Sequence, residues 1–233
     1  MSMQSPDQGG SRSREAARGA NSWQARDRNA MAARLAADIP EGWSVNLGIG
    51  IPLLVGDFVP AEREVIFHSE NGIIGMGPLQ KGPKLDTWIV NAGKQNVSLR
   101  TGASMVGHAD SFAMIRGGHL DLCVLGAFEV AENGDFANWT LSLKSVPAVG
   151  GAMDLAAGAK RLWLLMDHTS KDGKAKVKRS CELPLTAVKA VKRVYTDLAV
   201  LDVTPKGFVV LDIVAGLSFE ELQARTEAPL QRS

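Results

Sequence analysis

The chain has 233 residues, 45% of them hydrophobic and 22% charged, which is the balance of a globular protein long enough to bury a large core. Its 26 basic and 25 acidic side chains nearly cancel, so it carries no field that would gather nucleic acid or an anionic membrane surface. No apolar run approaches the roughly 20 residues needed to cross a bilayer, and a soluble, cytoplasmic protein is expected.

Residues 1–22 are rich in Ser, Gln, Gly and Arg and lack an apolar segment, so they read as a disordered tail and not as a secretory signal. Arg12, Arg14 and Arg18 would suit a transit peptide, but Asp7 and Glu15 count against one. The folded domain is expected over residues 23–233. After Trp23, the helical spacing of Ala30, Met31, Leu35 and Ile39 predicts a helix that ends before Pro40. Ser44-Val45-Asn46-Leu47 then reads as a strand entering Gly48-Ile49-Gly50-Ile51-Pro52, where two glycines permit a tight path and Pro52 can open a helix.

Further apolar runs of strand length cover 65–68, 88–90, 120–125, 162–166 and 208–214, with helices expected over 111–115 and 152–159. Most of these runs are continuous, not alternating, as in strands buried on both faces of a parallel sheet. The predicted fold class is therefore α/β, a single open, mostly parallel sheet flanked by helices. Ser218-Phe219-Glu220-Glu221 has the pattern of a capping box opening a last helix. The polar stretch 170–179 reads as an exposed, solvated hairpin or loop. Cys123 and Cys181 lie far apart in apparent strands and are expected to be reduced core residues, and the four scattered histidines predict no metal site.

Three polar residues mark exits from apolar strands: Asn46, Glu70 and Lys94. A carboxylate between an apolar strand and a glycine-rich turn needs partners or a proton, so Glu70 reads as nucleophile, base or paired core acid. If the strands are parallel neighbours, Asn46 and Lys94 flank Glu70, and Lys94 would hold it ionised and offer a cation to a substrate carboxylate. A turn-forming Asn46 and a solvated Lys94 are the plain alternatives. Gly150-Gly151-Ala152-Met153-Asp154 either presents backbone N–H groups to an anion or is an ordinary helix start. Gly48-Ile49-Gly50 lacks the third glycine of a dinucleotide fingerprint.

The segment Ser69-Glu70-Asn71-Gly72, followed by Gly75-Met76-Gly77-Pro78, resembles the SENG active-site signature of the B (beta) subunits of 3-oxoacid CoA-transferases. Similar to the same family are Val45-Asn46-Leu47-Gly48-Ile49-Gly50, Asn91-Ala92-Gly93-Lys94, Asp110-Ser111-Phe112-Ala113-Met114-Ile115-Arg116-Gly117-Gly118-His119, Gly134-Asp135-Phe136-Ala137-Asn138-Trp139 and Gly150-Gly151-Ala152-Met153-Asp154. The resemblance runs from about Arg26 to Leu230. Residues 80–88 depart from the family pattern, which bears on substrate fit. Ser145-Val146-Pro147-Ala148-Val149-Gly150-Gly151 and Tyr195-Thr196-Asp197-Leu198-Ala199-Val200-Leu201 read more like the 3-oxoadipate branch than the acetoacetate branch.

What the resemblance implies is a sheet of the CoA-transferase type and a ping-pong transfer of CoA from succinyl-CoA to a 3-oxo acid, with 3-oxoadipate of the β-ketoadipate pathway as acceptor. Acetoacetate, as in ketone-body use, is the alternative acceptor. Glu70 would be the covalent nucleophile. Asn46, Lys94, Gly151 and Ala152 match the positions that contact substrate carboxylate, while Gly48, Gly50, Asn71 and Gly72 support the loops. No bound cofactor is implied, since coenzyme A is a substrate that becomes attached to Glu70. A partner of the A (alpha) type is implied, completing the site in a heterotetramer of two A and two B chains. A ligand-sensing domain of similar fold, a catalytically dead structural subunit of a complex and a thioesterase are the competing readings. The first two have no use for Glu70, and the third needs a positioned water.

Overall fold

The structure is a computed structural model that describes residues 23–80, 82, 86–142 and 149–233. The tail expected over residues 1–22 and the acceptor-branch stretch 145–148 lie outside the described residues, as does part of 80–88. The chain opens with helix α1 (Arg28–Asp38), whose N-cap Asp27 accepts the Ala30 N–H at 2.7 Å. It buries Met31, Ala32, Leu35 and Ala36 and stops at Ile39, since the residue before Pro40 is biased out of the helical region. Strand β1 (Ser44–Leu47) follows, then a 3-10 helix (Ile51–Phe58) with Pro52 in its first turn.

Next come β2 (Ile66–Ser69), β3 (Ile73–Leu79), β4 (Val97–Met105), α2 (His108–Arg116), β5 (Leu122–Leu125), β6 (Glu129–Ala131) and β7 (Phe136–Ala137). The rest is α3 (Ala152–Gly158), β8 (Leu162–Leu165), β9 (Val177–Lys178), β10 (Val191–Tyr195), β11 (Ala199–Thr204), β12 (Gly207–Ile213), α4 (Phe219–Gln223) and β13 (Leu230–Arg232). Ten strands form one sheet in the order β13-β12-β11-β10-β8-β5-β1-β2-β3-β4. Its centre, β10-β8-β5-β1-β2, is parallel throughout. Pleating sends alternate residues to opposite faces. Cys123, Leu125, Leu162 and Leu164 pack into one hydrophobic layer, and Leu122, Val124, Trp163 and Leu165 into the other. Every residue of β5 and β8 is buried, which explains their continuous apolar runs.

The flanks turn antiparallel, apart from the outermost β12–β13 pair, which is parallel. Only residues 196–198 separate β10 from β11 and only 205–206 separate β11 from β12, too short for the crossover that parallel pairing requires. The β2-β3-β4 meander forms the opposite, also antiparallel wing, with only residues 70–72 between β2 and β3. Ser218 does cap α4, accepting the Glu221 N–H at 3.1 Å while the Glu221 carboxylate accepts the Ser218 N–H at 2.9 Å.

Three expectations are corrected. Residues 88–90 form no strand, only a bridge from Val90 to Asn96, and Trp88 is 92% exposed. Local bonds compete with sheet pairing there: Asp86 accepts the Trp88 N–H at 2.9 Å and Asn91 accepts the Gln95 N–H at 3.0 Å. The stretch 170–179 is a solvated turn only in its first half. Its second half enters β9 of a small sheet ordered β7-β6-β9, where buried Lys178 pairs with Glu129 at 3.2 Å and Glu182 at 2.9 Å. Cys181 sits half-buried in a loop after β9, while Cys123 is a core residue of β5 as expected, and both are free thiols.

Candidate active site

Parallel strands β1, β2, β5 and β8 bring their C-terminal ends to one edge, where open α/β sheets leave a crevice for ligands. A cavity of about 470 Å³ lies along it, lined among others by Gly48, Ile49, Glu70, Asn138, Gly151, Ala152 and Lys176. Glu70 occupies the turn between β2 and β3, closed by the Gly72 N–H on the Ser69 carbonyl at 2.9 Å. Gly72 is irreplaceable there: its φ is +117°, and a Cβ would fall 2.2 Å from the Val106 carbonyl oxygen.

The backbone of Glu70 is anchored by a buried polar chain. Asn46 Nδ2 lies 3.2 Å from the His68 carbonyl, which can only accept, so the amide orientation is set and Nδ2 also donates to His68 Nδ1 at 3.0 Å. His68 therefore carries its proton on Nε2 and donates to Ser111 Oγ at 3.0 Å. The Ser111 hydroxyl in turn donates to the Glu70 carbonyl at 2.8 Å. Burial pulls the His68 pKa down to about 4, which keeps the ring neutral as this chain of donors requires. Ser111→Ala strands both the His68 N–H and the Glu70 carbonyl, an expected cost of about 1 to 3 kcal/mol measurable by urea unfolding.

His168, bound by Thr196 at 3.0 Å and Thr226 at 2.8 Å, is likewise lowered to about 4 by burial, with Arg225 and Lys176 adding to the shift. Between the ordinary histidine value of 6.5 and about 4, the unfolded chain binds more protons at these two sites than the folded one. Their contribution to stability is therefore complete above the first value and lost as pH falls towards the second, and the urea midpoint is expected to drop across that window.

The Glu70 side chain is half-buried. Burial raises its pKa, the His108 charge opposes that rise, and Asp154 adds to it. The carboxylate presses against Gly151, where a Cβ would lie 2.7 Å from Glu70 Oε2 and 2.9 Å from Phe112 Cζ. Gly151 is the N-cap of α3 and Ala152 its first residue, so β2, α2 and α3 converge on this carboxylate. Phe112 is itself held by the His108 ring, with centroids 4.6 Å apart.

The other expected residues divide. Gly48 hugs β5, donating its N–H to the Val124 carbonyl at 2.8 Å, and Gly50 caps the 3-10 helix. Asn71 ties the Glu70 turn to the neighbouring loop by donating to the Val90 carbonyl at 2.7 Å. Asn46 is 2% exposed and stands behind the cavity wall, bonded to His68. Lys94 is exposed on a left-handed turn, with φ +61°. The charges acting on Glu70 are those of His108 and Asp154, which corrects the expectation that Lys94 holds it ionised. Lys94's neighbour Ala92 does line the cavity and donates its N–H to Ser69 Oγ at 2.9 Å. His68, His108, Asp154 and Lys176 were missed as parts of the site. A polar His68 inside a buried apolar strand two residues before Glu70 was the one local signal.

The family model for Coenzyme A transferase matches residues 28–214. The chain belongs to the coenzyme A transferase family. It is 53% identical over 204 residues to the B subunit of the 3-oxoadipate CoA-transferase of Pseudomonas putida, covering 87% of this chain and 95% of that protein. It is 43% identical to the B subunit of the succinyl-CoA:3-ketoacid coenzyme A transferase of Helicobacter pylori, covering 88% of this chain and 98% of the other. Among solved structures, the Escherichia coli O157:H7 acyl-CoA transferase YdiF, in a thioester complex with CoA, superposes with a TM-score of 0.68 at 20% identity. That match covers 94% of this chain but only 43% of the other, so the likeness is one of fold and the chain spans under half of that longer protein. No helix among the described residues is long and apolar enough to cross a membrane.

Proposed function

We propose that this chain is the B subunit of a two-component CoA transferase, carrying CoA from succinyl-CoA to 3-oxoadipate by way of Glu70. The observation that carries this reading is the Glu70 carboxylate, held at the end of a parallel strand, half out of water and facing a cavity. Cys123, the nearby thiol, is 0% exposed, and burial, together with the charge of Glu70, raises its pKa far out of nucleophilic range. The 53% identity to the corresponding chain of a 3-oxoadipate enzyme supports both the acceptor and a partner A chain, and the assembly proposed contains two of each.

The Glu70 carboxylate attacks the acyl carbon of succinyl-CoA, and the thiolate of CoA leaves with the electron pair of the broken C–S bond. The thiolate then attacks the γ-carbonyl of the resulting anhydride, succinate departs, and CoA remains as a thioester on Glu70. The acceptor's carboxylate attacks that thioester, again expelling thiolate. The thiolate attacks the acceptor's acyl carbon, and the Glu70 carboxylate is regenerated. No net proton or redox change occurs, and only water exclusion is needed to prevent hydrolysis of the activated intermediates. Asn46 acts through His68 on the backbone of Glu70, while Gly151 and Ala152 lie beside its carboxylate where the reacting acyl group would sit. Gly48 lines the cavity, Gly50, Asn71 and Gly72 hold the loops beside it, and the exposed Lys94 meets a substrate carboxylate only if the partner chain or substrate draws it inward.

Incubating the reconstituted complex with succinyl-CoA and reducing it with borohydride is expected to convert the Glu70 side chain to an alcohol, located by peptide mass mapping. Reduction at another residue overturns the role of Glu70. Comparing 3-oxoadipate with acetoacetate as acceptor separates this reading from that of a 3-ketoacid enzyme like the Helicobacter pylori relative.

A further inference from the structure

Lys176 is the cavity's unassigned cation. It precedes β9, and its main chain is pinned on both sides, with its N–H on the His168 carbonyl at 3.1 Å and its carbonyl accepting the Val130 N–H at 3.0 Å. The residue is half-buried and lines the same cavity as Glu70. Its neighbour Lys178 is neutralised by Glu129 and Glu182, but among the described residues the Lys176 ammonium has no carboxylate within 4.0 Å. Burial pulls its pKa down, against the attraction of Asp167 and Asp197. Asp197 is itself engaged, accepting the His168 N–H at 2.7 Å. Asp167 lines the same cavity but, like Asp197, makes no ion pair with Lys176, so the three N–H groups of this half-buried ammonium are left to bind an anion that enters the cavity.

We infer that Lys176 binds the distal carboxylate of the acyl group, so that the cavity selects dicarboxylic over methyl-ended acids. The inference rests on the transferase reading above: Glu70 meets the carbonyl end of the acyl chain and Lys176 its far end. Succinate and 3-oxoadipate both have a second carboxylate, whereas acetoacetate ends in a methyl group. A site built around a half-buried charge penalises the ligand that leaves the charge without a partner, a stronger filter than a difference of a methylene or two in an apolar wall.

The test uses the complex with its partner chain, succinyl-CoA as donor, and 3-oxoadipate and acetoacetate as acceptors. In a ping-pong reaction kcat/KM for the acceptor contains only the second half-reaction, so effects on succinyl-CoA binding do not enter it. Lys176→Met is expected to lower kcat/KM for 3-oxoadipate by about 30-fold or more, the loss of one charge-assisted bond. Acetoacetate is expected to change by less than about 3-fold, and Lys176→Arg to keep 3-oxoadipate within about 5-fold of the wild type. Unchanged discrimination in Lys176→Met, or equal losses in the Met and Arg variants, overturns the inference while leaving the transferase reading intact. A wild-type enzyme that accepts acetoacetate and refuses 3-oxoadipate overturns the acceptor assignment, and the inference with it.

Discussion

Glu70→Ala is expected to lower CoA transfer by at least about 10⁴-fold, because it deletes the group that would carry the acyl and then the CoA moiety. The measurement is steady-state transfer by the reconstituted complex, with the thermal midpoint checking that the fold survives. Removing the side chain leaves the Ser111 bond to the residue 70 carbonyl in place, so the midpoint should hardly move. Activity within about 10-fold of the wild type would rule out a covalent role. The same carboxylate sets the acid limb of the pH profile. It must be ionised to attack, and burial holds its pKa above the ordinary 4.5, so kcat/KM for the donor should begin to fall above the usual carboxylate range. His108 opposes that rise, and His108→Gln is expected to move the limb to still higher pH.

Much of the fold was legible because burial leaves a compositional trace. The central strands are apolar on both faces, and their continuous runs read directly as a parallel sheet. The antiparallel wings were missed because apolar content does not encode direction; only the short connections before β11 and β12 do. Glu70 was legible for a similar reason, as a charge at the end of an apolar run. Its support was not, because Ser111 lies 43 residues from His68 and meets it only once α2 packs over β2. Lys176 was hidden in a run of charges that looks solvated throughout. What turns it inward is the pairing of β9 with β6, a contact between Val130 and Val177 that no local pattern records.

Gly151→Ala separates the position of the carboxylate from its presence. The backbone at residue 151 has φ −78° and ψ −2°, an ordinary helical conformation that alanine adopts without strain. The cost therefore falls on the neighbours, where the new methyl would stand 2.7 Å from Glu70 Oε2 and 2.9 Å from Phe112 Cζ. Phe112 is confined by contact with the His108 ring, 4.6 Å between centroids, and with the Arg116 guanidinium, 5.8 Å from its centroid. The carboxylate is the freer of the two and must swing away. A displacement of about 1 Å from attacking geometry costs on the order of 10²-fold in rate. Gly151→Ala is expected to lose about that much in kcat while the complex assembles normally, and borohydride should trap correspondingly less thioester during the first turnover. Full activity in this variant would mean that Glu70 reacts from a rotamer other than the one packed on Gly151, and that the α2–α3 contact shapes the fold without aiming the nucleophile.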